Sequence, residues 1–218
     1  MNLFRLDASI RQDGSVTRAI ASTVESTLVE ASDDITIVRR DLGRSPLPST
    51  VWPLSAFAGY VPPDEGTPEQ RDAVALAAEL ADELIAADAY IFAAPLYNWG
   101  VSEHVKTWVD IVLTDPRFSP RSQPIAGRPG VLIVARGGGY GPGTPREGWD
   151  HATPWLQRIF GDVYGLDLRV IEVELTLADV VAEMADLLGV AAENLDAGHA
   201  AAGEFGAFLT DHLMAGVR

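Results

Sequence analysis

Cysteine is absent from the 218 residues, which removes disulfides, thiolate nucleophiles, iron–sulfur clusters and cysteine-based zinc sites. Lysine is nearly absent: Lys106 stands alone beside fifteen arginines. With 16 basic and 31 acidic residues the formal net charge is −15, a surface that argues against nucleic acid and anionic membranes as partners. No apolar run approaches the roughly 18 residues needed to cross a bilayer. The four histidines, at 104, 151, 199 and 212, lack HExxH spacing, so no metal site is expected. The start, MNLFRLDAS, carries charge too early for a signal peptide, and a cytoplasmic protein is the expectation. A Walker loop, GxxxxGK[ST], is missing, and so is GxGxxG after the first strand.

What is there is an alternation. The segments 2–8, 34–42, 88–95 (DAYIFAAP), 130–139 (GVLIVARGGG) and LDLRVIEVEL read as five strands. Helical patterns separate them. One has apolar positions near 16, 20, 24 and 28, and another opens with a capping signature, Thr67, Pro68 and Gln70. Strands joined by helices of ten or more residues predict an α/β fold: one domain over 1–218, a five-stranded parallel sheet and helices on both faces. The Pro-rich segment 46–68 is long for a connection and reads as a lid, an interface loop or a partly disordered excursion. From about 177 the chain reads as a helical tail interrupted near Gly189.

In open parallel sheets, ligands bind beyond the carboxyl ends of strands where strand order reverses. That points to three loops. ASIRQDGSVTRAI places hydroxyls at Ser9, Ser15 and Thr17 around a helix start, where free N–H groups suit a phosphate monoester; Arg11 or Arg18 could assist. Pro95-Leu96-Tyr97-Asn98-Trp99-Gly100 offers an apolar face, an amide and a wall. Ala135-Arg136-Gly137-Gly138-Gly139-Tyr140-Gly141 offers bare backbone N–H groups for the polar edge of a heterocycle. Each loop alone has a plainer reading: Ser15 as a helix cap, the rings as packing, the glycines as a surface turn. Taken together they fit a ligand with a phosphate at one end and a planar heteroaromatic at the other, and FMN is that ligand.

At these residues the chain resembles the FMN-dependent NADH-azoreductase and quinone-reductase family, which has the flavodoxin-like fold. AAPLYNWGVSEHVKTWVD is similar to the family's AAPMYNF segment and following helix, ARGGGY to its SRGG loop, and Ser9…Ser15-Val16-Thr17 to its phosphate loop. The resemblance covers roughly residues 1–175. It implies that Ser9, Ser15 and Thr17 hold the FMN phosphate. Leu96, Tyr97, Asn98 and Trp99 would contact the isoalloxazine, with Gly137 and Gly138 at its far edge. Phe118 would help form the substrate pocket, with Asp162 where the family tends to have an aromatic. It further implies a homodimer and two-electron, ping-pong hydride transfer through FMN N5 from NADH or NADPH to a quinone or azo acceptor. No residue is firmly catalytic; Tyr97, Asn98 and Tyr140 are candidates. Ala135, Trp99 and Asp162 depart from the family pattern, which leaves substrate choice open. Two further readings remain: a flavodoxin-type electron carrier, and a biosynthetic reductase with one dedicated substrate.

Overall fold

The computed structural model describes residues 1–62, 65–119 and 122–216, and the side chains up to 212. Pro63 and Asp64 of the Pro-rich segment, and Pro120 beyond Phe118, lie outside the described residues.

Five parallel strands form one sheet: β1 (Asn2–Asp7), β2 (Thr36–Asp41), β3 (Ala89–Ala93), β4 (Pro129–Ala135) and β5 (Asp167–Val173), in the order β2-β1-β3-β4-β5. The helices are α1 (Val16–Ala31), α2 (Val51–Ala58), α3 (Pro68–Ala86), α4 (Glu103–Val112), α5 (Thr153–Gln157) and α6 (Leu188–Gly216). β3 and β4 are buried along their whole length, as strands covered on both faces must be.

Side chains alternate between the two faces because the strand period is two. Phe4, Leu6, Tyr90, Phe92, Leu132 and Val134 point toward α3, α4 and α5. There Phe92 stacks on Phe160 with centroids 3.9 Å apart, and Trp108 of α4 stacks on Phe4. Leu3, Ile91, Ala93, Val131 and Ile133 point toward α1 and α6. Each such fully buried large side chain contributes about 1.5–3 kcal/mol. The capping box that opens α3 forms as its sequence predicts, with Gln70 N donating to Thr67 Oγ1 and Thr67 N to Gln70 Oε1.

Two elements differ from the sequence reading. The Pro-rich segment holds a short helix, α2, which packs on α3 and leaves Trp52, Phe57 and Tyr60 exposed. The tail changes from a 3₁₀ run, Ala182–Leu187, to α6 one residue before the predicted break, and Gly189 sits inside α6. α6 buries Ala202, Phe205 and Leu209 against α1, and the Arg169 guanidinium lies 4.0 Å above the Phe208 ring. It is the second helix of one face. Among the described residues no helix is long and apolar enough to cross a membrane.

The strand order fixes where the loops go. The chain leaves β1 for α1 on one face and leaves β3 for α4 on the other, so the loops after these neighbouring strands part and open a crevice.

Candidate functional site

A cleft of about 340 Å³ occupies that crevice, and all three loops line it. Ser9, Ser15, Thr17, Leu96, Tyr97, Asn98, Trp99, Gly137 and Tyr140 are brought together there.

One end is built from hydroxyls. Ser9, Ser15 and Thr17 are 3%, 7% and 1% exposed. Ser15 Oγ lies 3.4 Å from Thr17 Oγ1, and Ser9 Oγ lies 3.3 Å from the Tyr97 hydroxyl. Ser15 caps α1, but Arg18 N reaches its Oγ only at 3.5 Å, a loose bond that leaves the hydroxyl free to donate elsewhere. Among the described residues the N–H groups of Val16 and Thr17 have no partner. Buried hydroxyls and a helix start with unpaired donors are satisfied by an anion.

Arg18 does not serve the cleft. It donates to both Asp41 oxygens at 2.7 Å and to the Ser9 carbonyl at 2.8 Å. The hydrogen bonds raise the Arg18 pKa against the opposing effect of burial and hold the Asp41 carboxyl below its ordinary value. Beneath the loop, Leu42 N and Gly43 N both donate to the Asp7 carbonyl. A Cβ on Gly43 would stand 1.9 Å from the Ser9 carbonyl oxygen, so only glycine fits there. The loop after β2 thus braces the hydroxyl end, a contribution the sequence reading missed. Arg11 does line the cleft.

The second loop closes on itself. Tyr97 and Gly100 exchange backbone hydrogen bonds, and the two residues between them, Asn98 and Trp99, have φ of 49° and 62°. This is the signature of a type I′ turn, in which Asn followed by Gly is favoured. Trp in the left-handed region costs of order 1–3 kcal/mol. Leu96 N donates to the Ala135 carbonyl, tying the second loop to the third, and His151 N donates to the Trp99 carbonyl. The Trp99 ring is 46% exposed and meets the 52% exposed Trp149 ring edge-on, centroids 5.9 Å apart.

The third loop is held by a buried arginine. Arg136 pairs with Asp150 at 2.6 Å, Glu172 at 2.7 Å and Glu174 at 3.1 Å, and donates to Thr153 Oγ1. Burial opposes its charge, yet Glu172 and the other acids leave its pKa raised. Burial likewise opposes the Asp150 charge, but bonds from Thr153 and the Arg136 charge hold that carboxyl below its ordinary value. Tyr140 N donates to Glu174, so the same clasp sets the Tyr140 backbone.

Some predicted residues fall elsewhere. The glycines are not left bare: a Cβ on Gly137 would meet Leu177 Cδ1 at 2.6 Å, and one on Gly138 would meet Arg146 Nη1 at 2.5 Å. Gly138 does not line the cleft. Phe118 is buried against Tyr164 in the core, because the 3₁₀ turn Pro116–Phe118 folds it under α4 rather than toward the cleft. Asp162 is exposed on the π-helical turn Arg158–Val163 and pairs with Arg158. Conversely, Arg146, Thr176 and Leu177 line the cleft unforeseen. Thr176 and Leu177 follow β5, so the strand-end rule extended to the fifth strand would have found them.

A family described as a flavodoxin-like fold matches residues 1–194. An FMN-dependent NADH:quinone oxidoreductase of Frankia alni is 37% identical over 203 residues, covering 92% of this chain and 96% of its own length. A protein of the same name from Kineococcus radiotolerans is 37% identical over 209 residues, covering 93% and 97%. The chain belongs to the flavodoxin-like family of FMN-dependent NADH:quinone oxidoreductases. Solved relatives are more distant in sequence but share the fold. An azoreductase from Bacillus anthracis superposes with a TM-score of 0.75 at 21% identity, covering 94% of this chain and 98% of that one. A second, an FMN-dependent NADH-azoreductase from the same species in complex with FMN, gives 0.73 at 17%, covering 96% and 99%. The order β2-β1-β3-β4-β5 is the family's flavodoxin-like order, and the cleft lies at its switch point between β1 and β3.

Proposed function

We propose that the chain is an FMN-dependent reductase that uses NADH or NADPH to reduce quinones or azo compounds. The observation that carries this reading is the convergence of the three loops on one cleft, with buried hydroxyls at one end beside helix N–H groups that have no partner among the described residues, and aromatic residues at the other. The names of the relatives point the same way. FMN fits the donor set: its phosphate answers the buried hydroxyls and the α1 N–H groups at one end, and its ring answers the flat, partly apolar remainder. When bound, FMN supplies two-electron transfer from the nicotinamide to the acceptor.

The chain's own residues bind, orient and shield. Ser9, Ser15 and Thr17 donate to the phosphate, each bond to a charged group contributing about 1.5–3 kcal/mol. The α1 N-terminus adds about 0.3–1 kcal/mol, so the hydroxyls dominate. Leu96 supplies an apolar face and Asn98 an amide, set by the tight turn. Ala135 supplies no hydroxyl where the family pattern has serine. The Tyr97 hydroxyl accepts from Ile10 N and contacts Ser9, which supports a place at the phosphate end rather than a part in proton delivery. Tyr140 lines the same cleft and is the remaining tyrosine candidate to face an acceptor.

The exposed rings on and just beyond α2, 48% for Trp52, 63% for Phe57 and 84% for Tyr60, support a homodimer. A cytoplasmic site of action accords with the use of nicotinamide nucleotides. The test is anaerobic. Protein loaded with FMN receives one equivalent of NADH while the visible flavin band is followed. Prompt bleaching, with recovery on adding a quinone, is expected. A bound flavin that stays oxidised overturns the reductase reading in favour of an electron carrier.

A further inference from the structure

The cleft rim carries a cation that the cofactor-holding residues leave unused. Arg146, in the turn between β4 and α5, lines the cleft and is exposed. Among the described residues its guanidinium makes no ion pair and donates no hydrogen bond. Two carboxylates of the same region are engaged elsewhere: Glu147 accepts from Gly143 N, and Glu174 accepts from Tyr140 N and pairs with Arg136. What Arg146 touches is aromatic and bare backbone. It lies 5.9 Å from the Tyr140 ring centroid and fills the space where Gly138 lacks a side chain. Trp149 N donates to the Arg146 carbonyl at 3.0 Å, so one turn projects both a cation and an indole. That indole meets Trp99, which the I′ turn holds at positive φ.

A strained, exposed tryptophan is kept where its ring has work to do. A free guanidinium beside aromatic faces binds a planar molecule by its edge charge as well as by its face. In a chain of net charge −15 an anionic ligand is repelled overall. Charges beyond about 8 Å are screened, however, and the nearest cation decides.

We propose that Arg146 and Trp149 form an acceptor subsite that selects planar acceptors carrying an acidic group on the ring, a carboxylate or sulfonate. The inference rests on the reading that the cleft holds FMN and reduces quinones, and it adds which quinones. Trp149 packs against the acceptor ring, and the Arg146 guanidinium pairs with the acid.

The probes are 1,4-naphthoquinone and 1,4-naphthoquinone-2-sulfonate, used with the FMN-loaded enzyme. Arg146→Gln is expected to lower kcat/KM for the sulfonate about fivefold, equivalent to about 1 kcal/mol. The neutral quinone should change less than twofold, kcat/KM for NADH should hold, and Arg146→Lys should restore most of the loss. A second readout needs no turnover. Quenching of tryptophan fluorescence in the oxidised, FMN-loaded protein should show the sulfonate binding about fivefold more weakly in Arg146→Gln. Equal losses for both quinones, or no loss for either, overturn the subsite. A loss confined to NADH also overturns it and gives Arg146 to the dinucleotide phosphates. A wild-type protein that retains no FMN overturns the parent reading, and the subsite falls with it; that failure appears before any variant is made.

Discussion

The two ends of the cleft are built on opposite plans. At the hydroxyl end Ser9, Ser15 and Thr17 are buried, and a tier of ionic and backbone contacts lies beneath them: Arg18 on Asp41 and on the Ser9 carbonyl, Gly43 against the same carbonyl. At the rim Trp99 and Trp149 are half exposed, Arg146 makes no ion pair among the described residues, and Trp99 sits in a conformation that tryptophan disfavours. On the proposed reading the first end holds a group that never changes, a phosphate. The second matches partners that come and go. Rigidity is placed where the ligand is constant, and exposed, strained residues where it varies.

The largest expected effect tests the rigid end. Gly43→Ala places a methyl group 1.9 Å from a backbone oxygen, which no rotamer change relieves. It should destabilise the protein by about 3 kcal/mol or more in urea unfolding and should also weaken FMN binding, because Ser9 must move. A variant with native FMN affinity would break the claim that the loop after β2 braces the site.

Next, Ser15→Ala should weaken FMN about tenfold to a hundredfold, the worth of one hydrogen bond to a charged group, while costing the fold about 1 kcal/mol as a lost N-cap. Fluorescence titration and thermal unfolding separate the two. Equal and small effects on both would make Ser15 a cap alone.

Asp41→Asn removes the charge and one of the two acceptor oxygens that hold Arg18. Because Asp41 is partly exposed, the loss should be moderate, about 1.5 kcal/mol. Its folded pKa is depressed, so this stabilisation is full above the ordinary carboxylate value and fades as pH falls through the lower folded value. Stability measured from neutral pH into that range should therefore decline more in the wild type than in the variant.

The smallest effect has the opposite sign. Trp99→Gly relieves the strained turn position and should raise stability by about 1 kcal/mol, while kcat/KM for acceptors falls. A variant that loses both stability and activity would mean that Trp99 is packing, not rim, and the contrast between the ends would blur.

The sequence made the architecture legible because its signals are local. Continuous apolar runs such as AYIFA and VLIVA can only be strands covered on both faces, and Thr67-Pro68-Glu69-Gln70 can only start a helix. Loops at strand ends are equally local, so Ser9, Ser15, Thr17, Leu96, Tyr97, Asn98, Trp99 and Gly137 could be nominated one segment at a time. The structure differs from the local reading where one segment's meaning depends on another. Gly138 looked like bare backbone until the Arg146 side chain, eight positions on, was seen to cover it. Phe118 looked like a pocket residue until the 3₁₀ turn put it in the core beside Tyr164. Asp162 looked like a pocket substitution but pairs on the surface with Arg158.

By itself, then, the chain's pattern of apolar runs, caps and hydroxyl-bearing loops determined a five-stranded parallel sheet with a ligand cleft at the carboxyl ends of its strands. Periodicity and capping act within a few residues and need no partner to be read. Tertiary structure alone decided that Gly43 lies under Ser9, that Arg18 serves Asp41, and that Arg146 stands at the rim with no ion pair among the described residues. Each of these depends on the contact of segments far apart in the chain or on the absence of one, and no local pattern encodes which side chains will meet across a folded sheet.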